Sequence, residues 1–357
     1  MPEKFEFQNF KESLEKKGTL EIEKKRDMIT DKQRTESKKR EKILKGYQRI
    51  VAEELKKNPI ELLPLFPSIT IQELKEQFPD KRRIIACDFY IENIELGKEN
   101  VGGYSVENVI QIDHHAPTLR MLKPISSTNL AMAYVKEEGI ASPADCVVIN
   151  HTDCDSVLSS AIIRGILPLE KRFGDAAIAA DHTGEKNEIA DLLTALEEER
   201  NLEYSLIHLK LLLDHKDLLD HKDLDEKAKI LLERWLNERK RAEELTRSVE
   251  GGFKQTGNVW YAKVDKKIES VFFPAFLPET MVIIIASPLK NSDKLDIKVR
   301  LGIKAPEGLM LNKLDLPDFG GRWNAGSTKR HAGTSIPLEE YARIVNDKIK
   351  QYLAKKN

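Results

Sequence analysis

The sequence predicts an α/β protein in which a parallel sheet with crossover helices is followed by a smaller α/β domain. Short apolar runs alternate with helical segments between residues 82 and 184, which is typical of a parallel sheet. These runs are nearly continuous rather than alternating, as expected for strands covered on both faces. A Gly-Gly pair at 251–252 then separates a long charged segment from a second series of strands.

The composition narrows the class of protein. A chain of 357 residues has room for two domains, and its net charge of −1 gives no general electrostatic reason to expect a nucleic-acid or membrane partner. The three cysteines are odd in number and widely spaced, which argues against a disulfide framework. The first residues show no apolar leader, and no run approaches the roughly 20 apolar residues of a membrane helix. We therefore expect a cytoplasmic protein with no membrane partner.

Residues 1–66 are predicted to form a charged, mostly helical N-terminal segment. Its densest basic cluster, at 38–49, is more typical of a solvated helical face than of a nucleic-acid contact. Just after this segment, Thr70 and Glu73 fit a capping box that opens a helix ending near Phe78.

The first domain, predicted over residues 67–195, contains four apolar runs that we interpret as strands. The runs are 82–89, 108–115, 145–153 and 175–184. Helical periodicity marks two further segments. Residues 126–139 lie between the second and third runs and close with a glycine, and residues 156–167 follow the third run.

Residues 196–256 are predicted to be a helical linker, and residues 257–357 a second domain with three strands, a Gly-rich turn at 319–335 and a final helix. The linker repeats Asp-His-Lys-Asp at 214–217 and 220–223. A period of six does not stack on one helix face, so we interpret this repeat as solvated linker rather than as a metal site.

Each of the four apolar runs ends in side chains that bind metals. In order, they are Asp88; Asp113, His114 and His115; His151, Asp153 and Asp155; and Asp181 with His182. The carboxyl ends of parallel strands meet along one edge of a sheet, where ligands bind. A single aspartate there often only caps the next helix, and this alternative stays open for Asp155. Four such clusters at one edge favour a metal site.

The ligand types indicate the metal. Several carboxylates with some imidazole, and no thiolate cluster, suit Mn²⁺ better than Mg²⁺, with Co²⁺ as a further alternative. Four aspartates formally balance two divalent ions, which together would activate a water molecule and clamp a phosphoryl group. Cys154 points away from its neighbours if residues 153–155 are extended, so we do not expect it to be a ligand.

These motifs resemble those of the DHH phosphoesterase superfamily. The superfamily includes RecJ-type exonucleases, oligoribonucleases, cyclic-dinucleotide phosphodiesterases and manganese pyrophosphatases. The segment Phe319–Gly326, FGGRWNAG, is similar to the Gly-rich loop of the family's second domain, DHHA1, which usually reads GGGHRNAAG. Two features depart from the family. The motif order is permuted, because His-x-Asp-x-Asp follows DHH here, and Arg322 stands where the family has histidine.

The resemblance implies a role for each matching residue. One ion would be held by His151 and Asp153, the other by His114, Asp155 and Asp181, with Asp88 bridging the two. The catalytic pair would be His115, which contacts the scissile phosphate and protonates the leaving oxygen, and Asp113, which orients a histidine. Asn150 would touch the edge of the site. The residues expected to grip the distal end of the substrate are Arg322, Asn324, His331, Gly320 and Gly321, with Gly326 also allowing close approach; the alternative for the glycines is a plain hairpin turn.

The sequence thus predicts a DHH metal-binding catalytic domain, a DHHA1-like substrate-binding domain and a two-metal phosphoesterase. The favoured substrate is a short oligonucleotide or linear dinucleotide, because the Gly-rich, Arg-bearing loop could hold one end of a small substrate. The alternatives are a pyrophosphatase or polyphosphatase, and a nucleotide-binding regulator without turnover. A long-strand exonuclease is disfavoured by an aromatic content of only 6%. The sequence leaves a homodimer open.

Overall fold

The computed structural model describes residue 35 and residues 37–66, 68–115, 123–214, 224–248 and 252–356. Part of the predicted N-terminal segment, residues 1–34, therefore lies outside the described residues. So does most of the Asp-His-Lys-Asp duplication, residues 215–223, and its interpretation as solvated linker stays a prediction.

The first half of the chain forms a six-stranded sheet with the order β1-β8-β3-β7-β6-β5. Its strands are β1 (Ile60–Leu62), β3 (Ile84–Cys87), β5 (Lys98–Asn100), β6 (Gly103–Val106), β7 (Val109–Ile112) and β8 (Cys146–Ile149). The first four strands in this order run parallel, whereas β6 and β5 add an antiparallel edge. A separate short pair consists of β2 (Ile69–Thr70) and β4 (Ile91–Glu92).

The helices of this half cover the sheet or extend from it. They are α1 (residues 37–57), α2 (Ile71–Gln77), α3 (Ser127–Glu138), α4 (Cys154–Ile163), α5 (Lys171–Ile178), α6 (Glu188–Leu196) and α7 (Leu202–Asp214). The capping box of Thr70 and Glu73 is present, and α3 ends at Gly139, as predicted. All four residues of β3 and of β8 are buried, because helices cover both faces of these strands.

The prediction of a strand at residues 175–184 is wrong. These residues continue α5 into a π-helical turn, Ala179–Thr183, which ends at Gly184 in a left-handed conformation (φ 67°). The run is rich in alanine and poor in β-branched residues, so helix propensity prevails where an apolar run alone is ambiguous. The fourth parallel strand is instead β1, within a stretch whose apolar character resembled helix, and the β5–β6 hairpin was not predicted.

The second half of the chain forms another six-stranded sheet, in the order β13-β14-β12-β11-β10-β9. Its strands are β9 (Lys254–Thr256), β10 (Val259–Lys263), β11 (Val282–Pro288), β12 (Leu295–Leu301), β13 (Gly320–Gly321) and β14 (Ala325–Ser327). The helices are α8 (Glu226–Arg247), which precedes the sheet, α9 (Phe273–Phe276) and the final α10 (Leu338–Lys356). One buried cluster joins α10 to this sheet. Within the described part of the chain, no helix combines the length and apolar character needed to cross a bilayer.

Candidate active site

Three adjacent strands carry most of the predicted ligands to one edge of the first sheet. In space β8 and β7 flank β3, and all three are parallel. Asp88 therefore follows β3 between the DHH triplet that follows β7 and His151 beyond β8. The permuted motif order is compatible with one site because strand neighbours, not sequence order, bring these residues together.

Asp88 occupies the centre of this edge. Its backbone is left-handed (φ 61°), and its side chain is fully buried. One carboxylate oxygen, Oδ2, lies 3.2 Å from His151 Nε2. The other, Oδ1, lies 3.7 Å from His114 Nε2 and 3.8 Å from His115 Nδ1. The two oxygens thus face different histidines.

The two aspartates of the His-x-Asp-x-Asp motif have different structural tasks. Asp153 is the N-cap of α4, and its Oδ2 lies 3.1 Å from His151 Nε2. Asp155 lies in the first turn of α4, so it is not the cap of its own helix. Its carboxylate instead accepts the backbone N–H groups of Ser127 and Thr128, both at 2.7 Å, at the start of α3. The same carboxylate lies 3.7 Å from His114 Nε2.

His114 completes a third carboxylate–imidazole group. It is fully buried, and its Nε2 lies 3.0 Å from Asp181 Oδ2 on the π-helical turn. Nδ1 of His114 has no hydrogen-bond partner in the described structure, and Nε2 lies within hydrogen-bonding distance of Asp181 without the alignment of a regular hydrogen bond. Buried polar atoms are nearly always partnered, so a ring surrounded by three carboxylates in this way fits a metal ligand.

The donor atoms converge closely enough for metal binding. Three sets of side chains, each with one candidate ligand atom per residue within 4.8 Å of the others, occur among the described residues. The sets are Asp88, His151 and Asp153; His114, Asp155 and Asp181; and Asp88, His114 and His115. Asp88 and His114 each belong to two of them, so the sets form one connected cluster.

The electrostatics of the cluster favour a bound cation. Burial, together with Asp155 and Asp153, raises the pKa of Asp88 well above its usual value. Burial likewise raises the pKa of Asp155 to about 6. Burial would lower the pKa of His114, but Asp181 and Asp155 raise it to about 9. Carboxylates that resist ionisation and imidazoles that hold protons are both signs of excess negative charge.

Arg322 reaches the cluster from the second sheet. Its guanidinium contacts His115 Nε2, and its Nη2 lies 3.7 Å from Asp181 Oδ1. On the other side of the same ring, His115 Nδ1 lies 2.5 Å from Asp113 Oδ1, and Gln111 donates to Asp113 Oδ2 at 2.8 Å. The structure therefore places Arg322 beside the cluster of aspartates and histidines, whereas the sequence led us to expect it at the distal end of a substrate.

A cavity of about 280 Å³ lies beside the π-helical turn, lined by His182 and Thr183 of that turn and by residues of the second half of the chain such as Arg300. Asn324 and Trp323 line it, both only 4% exposed. Asn324 Oδ1 and Trp323 Nε1 have no hydrogen-bond partner in the described structure. His331, by contrast, is exposed at the end of a short turn, Thr328–His331.

The glycines form the hairpin that supports this loop. Gly321 pairs with Gly326 across β13 and β14. A Cβ on Gly321 would overlap the backbone of Gly326, and a Cβ on Gly326 would overlap the ring of Phe319. Close packing within the hairpin thus requires both glycines, and their predicted contact with substrate stays a prediction.

Several residues near the site carry roles that the sequence did not reveal. The ring of His182 lies 2.9 Å from the carbonyl oxygen of Ile125 and 3.2 Å from Asn324 Nδ2, and burial lowers its pKa to about 3. Both ring nitrogens are therefore occupied by protein groups.

Arg300, in the middle of a strand pattern, donates to the backbone of Asp181 and gave no sequence signal. Cys154 is buried as the first residue of α4, so residues 153–155 are not extended as assumed.

Comparisons with known proteins give structural similarities alone. No family model and no curated protein matches the sequence. A pGpG-specific phosphodiesterase, PggH from Vibrio cholerae, is 13% identical over 77% of this chain and 99% of its own, with a TM-score of 0.38. An exopolyphosphatase-related protein from Bacteroides fragilis is 14% identical over 79% and 75%, with a TM-score of 0.31. Exonuclease RecJ bound to manganese is 13% identical over 87% and 94%, with a TM-score of 0.34.

The chain resembles the DHH phosphoesterases. The resemblance lies in its motifs and in the arrangement of the residues that match them. The identities and TM-scores of the similar structures are low, so the functional conclusion rests on the geometry of the site.

Proposed function

We propose that this protein is a divalent-metal-dependent phosphoesterase of the DHH type that hydrolyses phosphodiester bonds in short oligonucleotides or linear dinucleotides. The observation that carries the proposal is the buried ring of His114, whose Nε2 lies 3.0 Å from a carboxylate oxygen of Asp181 and 3.7 Å from those of Asp88 and Asp155. A cluster with this donor set and excess of negative charge is suited to Mn²⁺.

The proposed ligands fall into two groups joined by one carboxylate. His151 and Asp153 would hold one ion, and His114, Asp155 and Asp181 the other. Asp88 would bridge them, which is supported by its two oxygens facing different histidines. When bound, such ions supply Lewis acidity and a water nucleophile at neutral pH.

The remaining polar residues would act on the phosphate. His115 is held by Asp113 on one ring nitrogen and faces Arg322 on the other, so its Nε2 points to the position where both could meet a phosphate. Arg322 would stabilise negative charge that develops on the phosphoryl oxygens. With substrate bound, Arg322 would turn from His115 Nε2 to the phosphate, and Nε2 would then carry the proton that His115 donates to the leaving oxygen.

The cavity beside the cluster supports a nucleotide rather than an inorganic substrate. Its walls include Pro124, Ile303 and the indole of Trp323, which offer apolar contact to a flat ring. Asn324 Oδ1 and Trp323 Nε1 are buried behind these walls without a hydrogen-bond partner among the described residues, so they would meet the edge of a base, as acceptor and donor, once the side chains around them shift. Pyrophosphate has no apolar ring that could occupy this cavity. A pyrophosphatase or polyphosphatase is therefore the second candidate. A regulator without turnover is the third, and no expected ligand is missing to favour it.

The test compares three substrates with purified protein that has been stripped of metal and then supplied with Mn²⁺. We expect a 5′-phosphorylated dinucleotide to be hydrolysed with a higher kcat/KM than pyrophosphate, and bis-p-nitrophenyl phosphate to be hydrolysed slowly. Asn324→Ala should lower kcat/KM on the dinucleotide about ten-fold, the scale of one hydrogen bond with a buried partner, and leave bis-p-nitrophenyl phosphate nearly unchanged. Arg322→Ala should lower activity on both about ten- to a hundred-fold, because it lies at the reacting centre.

Full activity in EDTA after verified metal removal would overturn the metal-dependent proposal. Preference for pyrophosphate over every dinucleotide would overturn the substrate assignment. Equal losses for Asn324→Ala on large and small substrates would mean that Asn324 acts through His182 and not in a base pocket.

A further inference from the structure

The turn that carries Asp181 belongs by sequence to the first half of the chain but is held by the second sheet. From β12, Arg300 Nη1 donates to the carbonyl oxygen of Asp181 at 2.7 Å. Next along the turn, Asn324 Nδ2 lies 3.2 Å from His182 Nδ1. Both contacts cross from the second sheet to the turn, over separations of 119 and 142 residues.

The end of the turn is held in the same way. Gly184 is left-handed (φ 67°), and a Cβ there would overlap the backbone of Val271, which lies in the connection between β10 and β11. From α8, Arg239 Nη1 donates to the carbonyl oxygen of Gly184 at 2.5 Å. The turn is thus fixed by the second sheet, by a connection within that sheet and by the helix that precedes it.

We propose that the second domain positions Asp181, so that cation binding by His114, Asp155 and Asp181 and the seating of the second domain favour each other. Arg300 is the positioning residue. This inference rests on the proposed metal site and concerns one part of it. The other group, Asp88, His151 and Asp153, is built from strand ends and a helix start of the first half alone, and the second domain does not hold its backbone in the contacts described.

Thermodynamic linkage means that this coupling can be measured in two ways, as metal affinity and as stability of the contacts made by the second domain. If the second domain holds Asp181 in a geometry that binds a cation, the bound cation must stabilise the contacts of the second domain by the same factor. Residues that orient a metal ligand typically contribute about ten- to a hundred-fold to metal affinity. The effect should fall on one ion and spare the other.

Positioning and simple charge predict opposite results for Arg300. Arg300 is a partly buried cation beside Arg322 and Asp181. If it acted only through its charge, it would repel a bound cation, and Arg300→Met would tighten metal binding. If it acts by holding the Asp181 backbone, the same substitution weakens binding.

The experiment measures Mn²⁺ binding to the full chain after metal removal, by calorimetric titration and by the electron paramagnetic resonance of free Mn²⁺. The variants are Arg300→Met, Arg300→Lys and, as a matched control, Arg343→Met, an exposed arginine on α10. We expect wild type and Arg343→Met to bind two ions. Arg300→Met should weaken one class of site about ten-fold or more and leave the other unchanged, and Arg300→Lys should recover part of the loss.

Unchanged or tighter binding by Arg300→Met would overturn the inference, as would equal weakening at both classes. Failure of wild type to bind Mn²⁺ would overturn the proposed function instead. Hydrogen exchange on wild type tests the reciprocal side without any variant. Backbone amides in the β10–β11 connection around Val271 should exchange more slowly when Mn²⁺ is bound, and unchanged exchange there would overturn the coupling even if Arg300→Met does not fold.

Discussion

The parallel strands of the first sheet begin at one edge of the sheet, the amino edge, and end at the other, the carboxyl edge. Both edges bury carboxylates, but their charge is balanced differently. At the amino edge, Asp145 precedes β8 and is fully buried. It accepts from Arg82 Nε at 3.0 Å, from Arg83 Nη2 at 2.9 Å and from the backbone N–H of Ser142 at 2.7 Å. At the carboxyl edge, the carboxylates of Asp88, Asp153, Asp155 and Asp181 converge on histidines, and the nearby guanidinium of Arg322 is shared among them.

The pKa values follow this difference. Burial would raise the pKa of Asp145, but bonds from Arg83, Arg82 and Ser142 hold it well below its usual range. Burial raises the pKa of Asp88, and the neighbouring carboxylates raise it further. A buried carboxylate paired with two arginines stabilises the fold, whereas a group of carboxylates that share one arginine and otherwise accept from neutral donors and histidines is prepared to bind a cation.

The largest expected effect comes from the carboxyl edge. Asp88→Asn should lower turnover on the order of 10³-fold or more, since it removes a group that acts directly at the reacting centre. Because the folded-state pKa of Asp88 is raised, its ionised form destabilises the metal-free fold near pH 7. Asp88→Asn should therefore raise the free energy of unfolding of the metal-free protein at that pH.

Denaturant unfolding in EDTA and hydrolysis of bis-p-nitrophenyl phosphate in Mn²⁺ measure the two changes, with Asp347→Asn on the exposed face of α10 as the control. If Asp88→Asn lost stability and kept its activity, Asp88 would serve the fold and not the reaction, and the contrast drawn between the two edges would be wrong.

A smaller effect, on stability alone, is expected at the amino edge. Asp145→Asn should lower the free energy of unfolding by about 2–3 kcal/mol near neutral pH, because two arginines lose a buried partner, although one of them is largely solvated. The folded-state pKa of Asp145 is depressed, so its contribution is present above the unfolded value of about 3.9 and is lost as pH falls below it.

The difference in stability between wild type and Asp145→Asn, measured by denaturant at a series of pH values, should thus shrink below about pH 4. Metal-dependent turnover should stay near wild type. A stability difference that does not change with pH would show that the charge of Asp145 contributes little.

The smallest effect separates the two arginines of this edge. The side chain of Arg82 is 59% exposed and that of Arg83 21%. Arg82→Ala should lower the free energy of unfolding only slightly, as is typical of exposed ion pairs, and Arg83→Ala should lower it more. Thermal unfolding of both variants in parallel measures the two losses of stability. A larger loss for Arg82→Ala than for Arg83→Ala would mean that exposure does not govern the strength of these ion pairs.

The sequence by itself located three of the four parallel strands and the polar residues that we propose as ligands, but it missed β1 and the β5–β6 hairpin. The runs that became β3, β7 and β8 are continuously apolar, and a strand covered on both faces requires that pattern, so the polar residues at their ends could be located from the sequence. Asp181 was placed among the ligands although its segment was expected to be a strand and is helical. A strand end and a helical turn can both place a side chain at the edge of a sheet. Asp181 therefore lies near the other proposed ligands although the secondary structure predicted for its segment was wrong.

Only the tertiary structure decided how distant segments meet. The cap that Asp155 provides to α3, the contact of Arg322 with His115 and the bond from Arg300 to the Asp181 backbone join residues 27, 207 and 119 positions apart. Periodicity and propensity report on neighbours along the chain, and they carry no information about which helix start or strand middle will lie against a given carboxylate. The placement of these polar contacts follows from the packing of the two sheets, and so it became visible only with the fold.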